Sequence, residues 1–233
     1  MAWLNLPLRR MAVAAALLVL CVVDASLVGA RTASDYTAAQ QASTLQFLQG
    51  FVTANPSLSA VWTGTDFCSW SYVSCSSYSP SLDFSPYSSP YSGTLVLPEL
   101  GDDVNGSAVI FTYIQVRSMG VRVTGTLPAS WGRLTALKTL YLDGNGLTGT
   151  LPSEWSSMRY LRYLDLSANG LTGTIPLSWG QTWTFLFTAA LGGNKLCGCL
   201  PSQWKDNIFV TITVDPAVRA ADCAVKNACD SLP

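Results

Sequence analysis

Leucines recur along the middle of this chain at a fixed step. Leu137, Leu140 and Leu142 lead to Asn145 and Leu147; 24 residues later Leu161, Leu164 and Leu166 lead to Asn169 and Leu171. Polar and aromatic residues fill the intervening positions. The phrase Thr124-Gly125-Thr126-Leu127-Pro128 returns as Thr148-Gly149-Thr150-Leu151-Pro152 and as Thr172-Gly173-Thr174-Ile175-Pro176, with Trp131, Trp155 and Trp179 keeping step behind. Each Leu-x-Leu is strand-sized, and alternate residues of a strand point to opposite faces. One such unit cannot bury its own leucines. Neighbouring turns must stack to cover them, so a fixed period in this range specifies a solenoid.

The template Leu-x-x-Leu-x-Leu-x-x-Asn-x-Leu is that of leucine-rich repeats. It predicts a leucine-rich-repeat solenoid, α/β and β-rich. Short parallel strands line the concave face, irregular or 3-10 segments the convex side, with a helical N-terminal cap and disulfide caps at both ends. A degenerate turn, Phe111-x-x-Ile114-x-Val116-x-x-Met119-x-Val121, precedes the clear ones, and a partial turn lies at 93–98. After Leu186-x-x-Ala189-x-Leu191-x-x-Asn194-x-Leu196, the segment Cys197-Gly198-Cys199 replaces the two threonines of the repeat phrase, converting the last turn into a cap. Asn145, Asn169 and Asn194 are expected to form a buried ladder satisfying backbone groups after each strand. The periodic tryptophans are expected in the core.

Upstream, residues 35–55 read as an amphipathic helix with Ser34 as N-cap. Ala38, Gln41/Ala42, Leu45, Leu48 and Val52 form its stripe, Phe47 and Phe51 broaden it, and Asn55-Pro56 ends it. Such a helix would lie over the first turn as a lid. Segment 76–92, rich in Ser, Tyr and Pro, reads as an irregular loop.

The N-terminus reads as a secretory signal over residues 1–30: Arg9 and Arg10, an apolar run over 11–23 too short to span a bilayer, then Val28-Gly29-Ala30. The organisation expected is thus signal 1–30, N-terminal cap 31–92, repeats 93–196 and cysteine-containing C-terminal cap 197–233. A net charge of −1 without a basic stripe argues against nucleic acid. Nor is there a basic amphipathic stretch for an anionic membrane surface, and no direct membrane insertion is expected once the signal is cleaved. Histidine is absent, removing Ser-His-Asp, Cys-His and histidine-based zinc arrangements; no cofactor, no metal and no enzymatic activity are expected. Cys21 lies in the signal. The remaining six cysteines flank the repeats, as disulfide caps of a secreted solenoid would. Cys68 is expected to pair with Cys75. Among Cys197, Cys199, Cys223 and Cys229, a bond between the first two is geometrically poor, which leaves two pairings.

Cys68-x-Trp70-x-x-Val73-x-Cys75, behind a helix and Trp62, resembles the N-terminal cap of plant-type leucine-rich-repeat proteins. Pro128-Ala129-Ser130-Trp131 and Pro152-Ser153-Glu154-Trp155 narrow the likeness, since plant relatives usually carry leucine where these tryptophans stand. With them the chain resembles the promastigote surface antigen family of trypanosomatid parasites. That resemblance implies an externally displayed protein, secreted or on the outer face of the plasma membrane, in contact with host or vector. By resemblance to C-terminal caps of this class, the pairings are Cys197–Cys223 and Cys199–Cys229. Family members typically continue into a threonine-rich stalk and a lipid-anchor signal, which Asp230-Ser231-Leu232-Pro233 does not provide; a secreted form or a truncated gene model is expected.

Aligned on the template, the outward concave residues are Tyr113, Gln115 and Arg117; Thr139, Tyr141 and Asp143; Tyr163, Asp165 and Ser167; and Thr188, Ala190 and Gly192. Recurring tyrosines supply contact area at small entropic cost, as recognition surfaces require. The function expected is recognition or adhesion, binding an extracellular protein or glycan through the concave face. The alternative is an extracellular hydrolase inhibitor of the plant leucine-rich-repeat type. Asn105-Gly106-Ser107 is the one sequon free of proline and marks Asn105 for N-glycosylation.

Overall fold

The structure, a computed structural model, describes residues 31–85, 93–117, 121–205, 207–216, 218 and 229. The signal expected over residues 1–30 with its Cys21, residues 86–92 of the Ser/Tyr/Pro segment, Met119, Cys223 and the terminus 230–233 lie outside them. The cap helix α1 spans Ala38–Ala54, later than the sequence pattern suggested. Thr37, not Ser34, is its N-cap: Thr37 Oγ1 accepts the Gln40 N–H at 3.3 Å and Gln40 Oε1 accepts the Thr37 N–H at 3.0 Å. This reciprocal capping box fixes the start, and a 3-10 turn at Ala33–Asp35 stands before it. The buried face is also rotated from expectation, running through Ser43, Thr44, Phe47, Leu48 and Phe51, while Leu45 and Val52 are half-buried. Bulk decides this: the two phenylalanines bury most area and pack against Trp131 at 5.8 and 6.2 Å. Cys68 and Cys75 are disulfide-bonded, and Trp62 stacks on Trp70 at 5.5 Å.

Short strands follow in chain order: β1 (Val73–Ser74), β2 (Ser81–Asp83), β3 (Gly93–Val96), β4 (Tyr113–Gln115), β5 (Val121–Thr126) and β6 (Thr139–Tyr141). Then come β7 (Gly146–Thr148), β8 (Tyr163–Asp165), β9 (Thr172–Thr174), β10 (Thr188–Ala190), β11 (Lys195–Cys197) and β12 (Thr211–Thr213). The concave sheet has the order β1-β2-β4-β6-β8-β10-β12, parallel except for the β1–β2 pair. Leu82, Ile114, Leu140, Leu164, Ala189 and Ile212 stack in register along its inner side, all buried. Strand β2 corrects the loop expected over 76–92. Leu82 and Phe84, 0% and 1% exposed, are the strand alternation of a further turn.

A second set of parallel strands, β3-β5-β7 and β9-β11, runs beside the first, where only irregular backbone was expected. The repeated Thr-Gly-Thr builds it. Thr148 and Thr172 hydroxyls donate to the carbonyls of Gly125 and Gly149, one turn back, at 3.3 and 3.2 Å.

The asparagine ladder forms with the expected partners, but only Asn145 is buried; Asn169 and Asn194 are half-buried. Asn145 Oδ1 accepts the Val123 N–H at 2.8 Å while Nδ2 donates to the Val116 and Leu142 carbonyls at 2.8 and 2.9 Å; Asn169 and Asn194 repeat the arrangement one and two turns on. Asn55 continues it backwards, its Oδ1 taking the Val96 N–H at 2.7 Å. Asp215 closes the far end by accepting the Gly193 and Asn194 N–H groups.

Trp131, Trp155 and Trp179 are fully buried. Each indole N–H donates to a proline carbonyl one turn back, at Pro98, Pro128 and Pro152 (2.8, 2.8 and 3.0 Å). A leucine would fill the space and leave these carbonyls without that donor. On the convex side lie 3-10 turns at Ala129–Arg133 and Ser153–Ser157 and the short helices α2 (Leu177–Thr182) and α3 (Ser202–Lys205). Gly132 permits their close approach: a Cβ there would stand 2.3 Å from the Glu154 carbonyl oxygen.

In the C-terminal cap, Cys197 bonds to Cys229, not to Cys223, so the pairing implied by family resemblance is overturned for both Cys197 and Cys229. The reason is local. Cys197 takes the outward place of the ladder threonines, its Sγ 3.4 Å from the Gly173 carbonyl oxygen. Cys229 lies beside the repeat phrases around Thr150, Pro152 and Gly173, on that same flank. Cys199, only 1% exposed, is also disulfide-bonded.

Candidate concave recognition surface

The seven-stranded sheet turns its outer face to solvent and positions the residues singled out from the sequence. Register places Tyr113 beside Thr139, Tyr163 and Thr188 in one column, and Gln115 beside Tyr141, Asp165 and Ala190 in the next. Strand β2 adds Ser81 and Asp83 to these columns, and β12 adds Thr211 and Thr213. Sequence reasoning missed the first pair because prolines surround them, although Leu82-x-Phe84 carried the signal.

Arg117 ties the columns together. Its Nε donates to Asp143 Oδ1 at 2.9 Å, an Nη lies 3.9 Å from Asp165, and the guanidinium sits 4.4 Å above the centre of the Tyr141 ring. Tyr141 meets Tyr113 edge-on at 5.9 Å, and the Tyr113 hydroxyl donates to Gln115 Oε1. Asp165 also accepts from the Ser167 hydroxyl and N–H at 2.6 and 3.0 Å, which fixes its carboxylate. Burial above all holds the Tyr113 and Tyr141 hydroxyls above their ordinary pKa of 10.0; Asp83 adds to it at Tyr113 and Tyr163 and Asp165 at Tyr141, while Arg117 opposes it in both. Both tyrosines are therefore neutral hydrogen-bonding groups at neutral pH. The charges and rings thus restrict one another's positions on this open surface.

Thr139 stands in the first column between Tyr113 and Tyr163, and Thr188, Ala190 and Gly192 form a flatter, less aromatic end. Asn105 is exposed apart from this face, capping a 3-10 turn at Gly106–Ala108 and accepting the Ser107 hydroxyl at 2.7 Å. Among the described residues no group of three or more Cys, Asp or Glu side chains is close enough to hold a metal. Nor, among them, is any helix long and apolar enough to cross a membrane.

The family described as Leucine rich repeat N-terminal domain matches residues 38–76, and Leucine Rich Repeat matches 136–158 and 160–182. Surface membrane glycoprotein GP46/M-2 of Leishmania amazonensis is 39% identical over 141 residues, 58% of this chain and 29% of that protein. The chain thus spans under a third of the length of the curated relative it matches. Among solved structures, the ectodomain of the receptor kinase SOBIR1 from Arabidopsis thaliana has a TM-score of 0.54 at 20% identity, covering 76% of this chain and 92% of that one. A chain of the BIR3–SERK2 complex, also from Arabidopsis thaliana, scores 0.55 at 22% identity, covering 76% and 99%. These two share the fold. The cap, the repeats and these structures agree on a leucine-rich-repeat fold, and over 141 residues the chain is similar to a surface membrane glycoprotein of Leishmania amazonensis.

Proposed function

We propose that this protein works outside the cell as a recognition module, binding a protein or glycan through the concave columns of Tyr113, Tyr141 and Tyr163 with Arg117, Asp143 and Asp165. The single observation that carries this reading is the Arg117 arrangement, stacked on Tyr141 and paired with two aspartates. Holding charged and aromatic groups rigid at an open surface lowers the ordering cost of binding, and such groups dominate interface hot spots. Disulfides at both ends suit an oxidising, extracellular compartment. The likeness to a surface membrane glycoprotein supports the same location and, with the family resemblance, a host or vector partner. No catalytic role is assigned to any residue.

A cell-surface and glycan-array screen with the purified chain identifies a ligand, and Tyr141→Ala then tests the face. Loss of about 1–3 kcal/mol of binding with an unchanged melting temperature is the expected result. Unchanged binding to every ligand found would remove the concave face as the site.

A further inference from the structure

Nine large apolar or aromatic side chains stand exposed among the described residues, and five of them gather on one flank of the last three turns: Tyr160, Phe185, Phe187, Ile208 and Phe209. Tyr160 stacks on Phe185 across turns at 6.0 Å, and Phe187 borders the concave Tyr163 at 5.8 Å, where the two surfaces meet. Continuing the register of β8, β10 and β12 back by three residues brings Ile208 opposite Phe185. At the end of the row Ile208 and Phe209 project as a prong, 89% and 79% exposed. Earlier turns carry Ala136 and Lys138 at the corresponding positions, so the patch is confined to this end. A contiguous exposed patch of this kind marks an interaction surface.

Its border is cationic. Arg159 and Arg162 alternate with the aromatics in Arg159-Tyr160-Leu161-Arg162-Tyr163, both exposed. Asp165, the nearest carboxylate along that strand, is already engaged by Arg117 and Ser167. Tyrosine and phenylalanine rings interleaved with arginines suit the interfacial layer of an anionic bilayer, where rings sit at headgroup depth and cations meet lipid phosphates. The prong favours lipid over a protein partner, because a bilayer accepts projecting apolar side chains without a matching hole. We infer that this flank adsorbs to an anionic lipid surface, seating the solenoid sideways on a membrane and leaving the concave columns open. No single sequence stretch is basic and amphipathic; stacking three turns creates the surface.

The test is sedimentation of the full chain, disulfides intact, with vesicles of phosphatidylcholine alone or containing about one-third phosphatidylserine. Binding is expected to the second and not the first, and to weaken with salt. Ile208→Ser with Phe209→Ser should reduce it at least tenfold. Arg159→Gln and Arg162→Gln should each reduce it about fivefold, since a cation near such a surface contributes about 1 kcal/mol. Melting temperatures of these surface variants check that they fold. Absence of vesicle binding, or equal binding to neutral vesicles, overturns the inference. So does concentration-dependent self-association, seen by light scattering and abolished by the Ile208/Phe209 pair, because it assigns the patch to a second copy of the chain.

Discussion

Replacing Asn145 with alanine probes the ladder that sets the repeat. The native side chain is 7% exposed and serves Val123 N–H, Val116 C=O and Leu142 C=O. These do not suffer equally. The Leu142 carbonyl keeps a second donor, Asn169 Nδ2 at 2.9 Å, so truncation strands chiefly the Val123 N–H and the Val116 carbonyl. Each buried, unsatisfied group costs about 1–3 kcal/mol, which makes the expected loss about 2–6 kcal/mol. Asn194→Ala should cost less, since its site is half-buried and water can replace part of what is removed. Urea unfolding with the disulfides intact gives the stability. Hydrogen exchange gives the location: the Val123 amide should lose protection while the Leu147 amide, held by Asn169 Oδ1 at 3.1 Å, keeps it. A stability loss below about 1 kcal/mol, or an unchanged Val123 amide, would show that the ladder does not carry the turn.

Strand register is checked by adjacent substitutions: Leu142→Ala should destabilise by about 2–5 kcal/mol as a fully buried leucine, and Tyr141→Ala by about half a kcal/mol, measured by thermal melts. Ala168 holds φ +55°, at the repeat position where Gly144 and Gly193 also have positive φ. Ala168→Gly should therefore raise stability by up to about 1 kcal/mol, relief of left-handed strain outweighing added unfolded-state entropy. Tyr113 and Tyr141 titrate above 10.0 in the fold, so deprotonation favours the unfolded chain. Their contribution is intact below pH 10 and is lost as pH rises through the raised values, which phenolate absorbance and alkaline unfolding together detect. Native material should carry an N-glycan on Asn105, seen as a mass shift after enzymatic deglycosylation; an unshifted mass rejects it.

Much of this structure was legible because the period couples positions that are individually ambiguous. Leu140 alone could belong to any element; its recurrence at Leu164, followed each time by asparagine, fixed strand, face and neighbour. What escaped notice lacked that reinforcement. The start of α1 was missed because Ser34 and Thr37 are both competent caps, and only Gln40 returning to Thr37 separates them. The face of α1 was misjudged because alanines and aliphatics form a weak stripe beside the stronger one through Phe47 and Phe51. Strand β2 was hidden by prolines and serines around Leu82 and Phe84. The partner of Cys197 depended on how the last segment returns along the flank, which no local pattern encodes. The concave columns followed from register alone, but Arg117 crossing two turns to Asp165 did not, since side-chain reach is absent from a repeat alignment.

The two ends of the asparagine ladder have a consequence for how this molecule can change in size. Asn55, supplied by the cap helix, opens the series, and Asp215, supplied beyond the last strand, closes it. Neither belongs to a repeat, so both termini of the array are bespoke while its interior is interchangeable. Length is thereby quantised. Gain or loss of one whole turn between Thr148 and Thr172 preserves every rung, whereas any other insertion there throws asparagine, tryptophan and strand out of phase together. Recombination within the array can thus vary the breadth of the concave face in steps of one strand while the caps stay fixed.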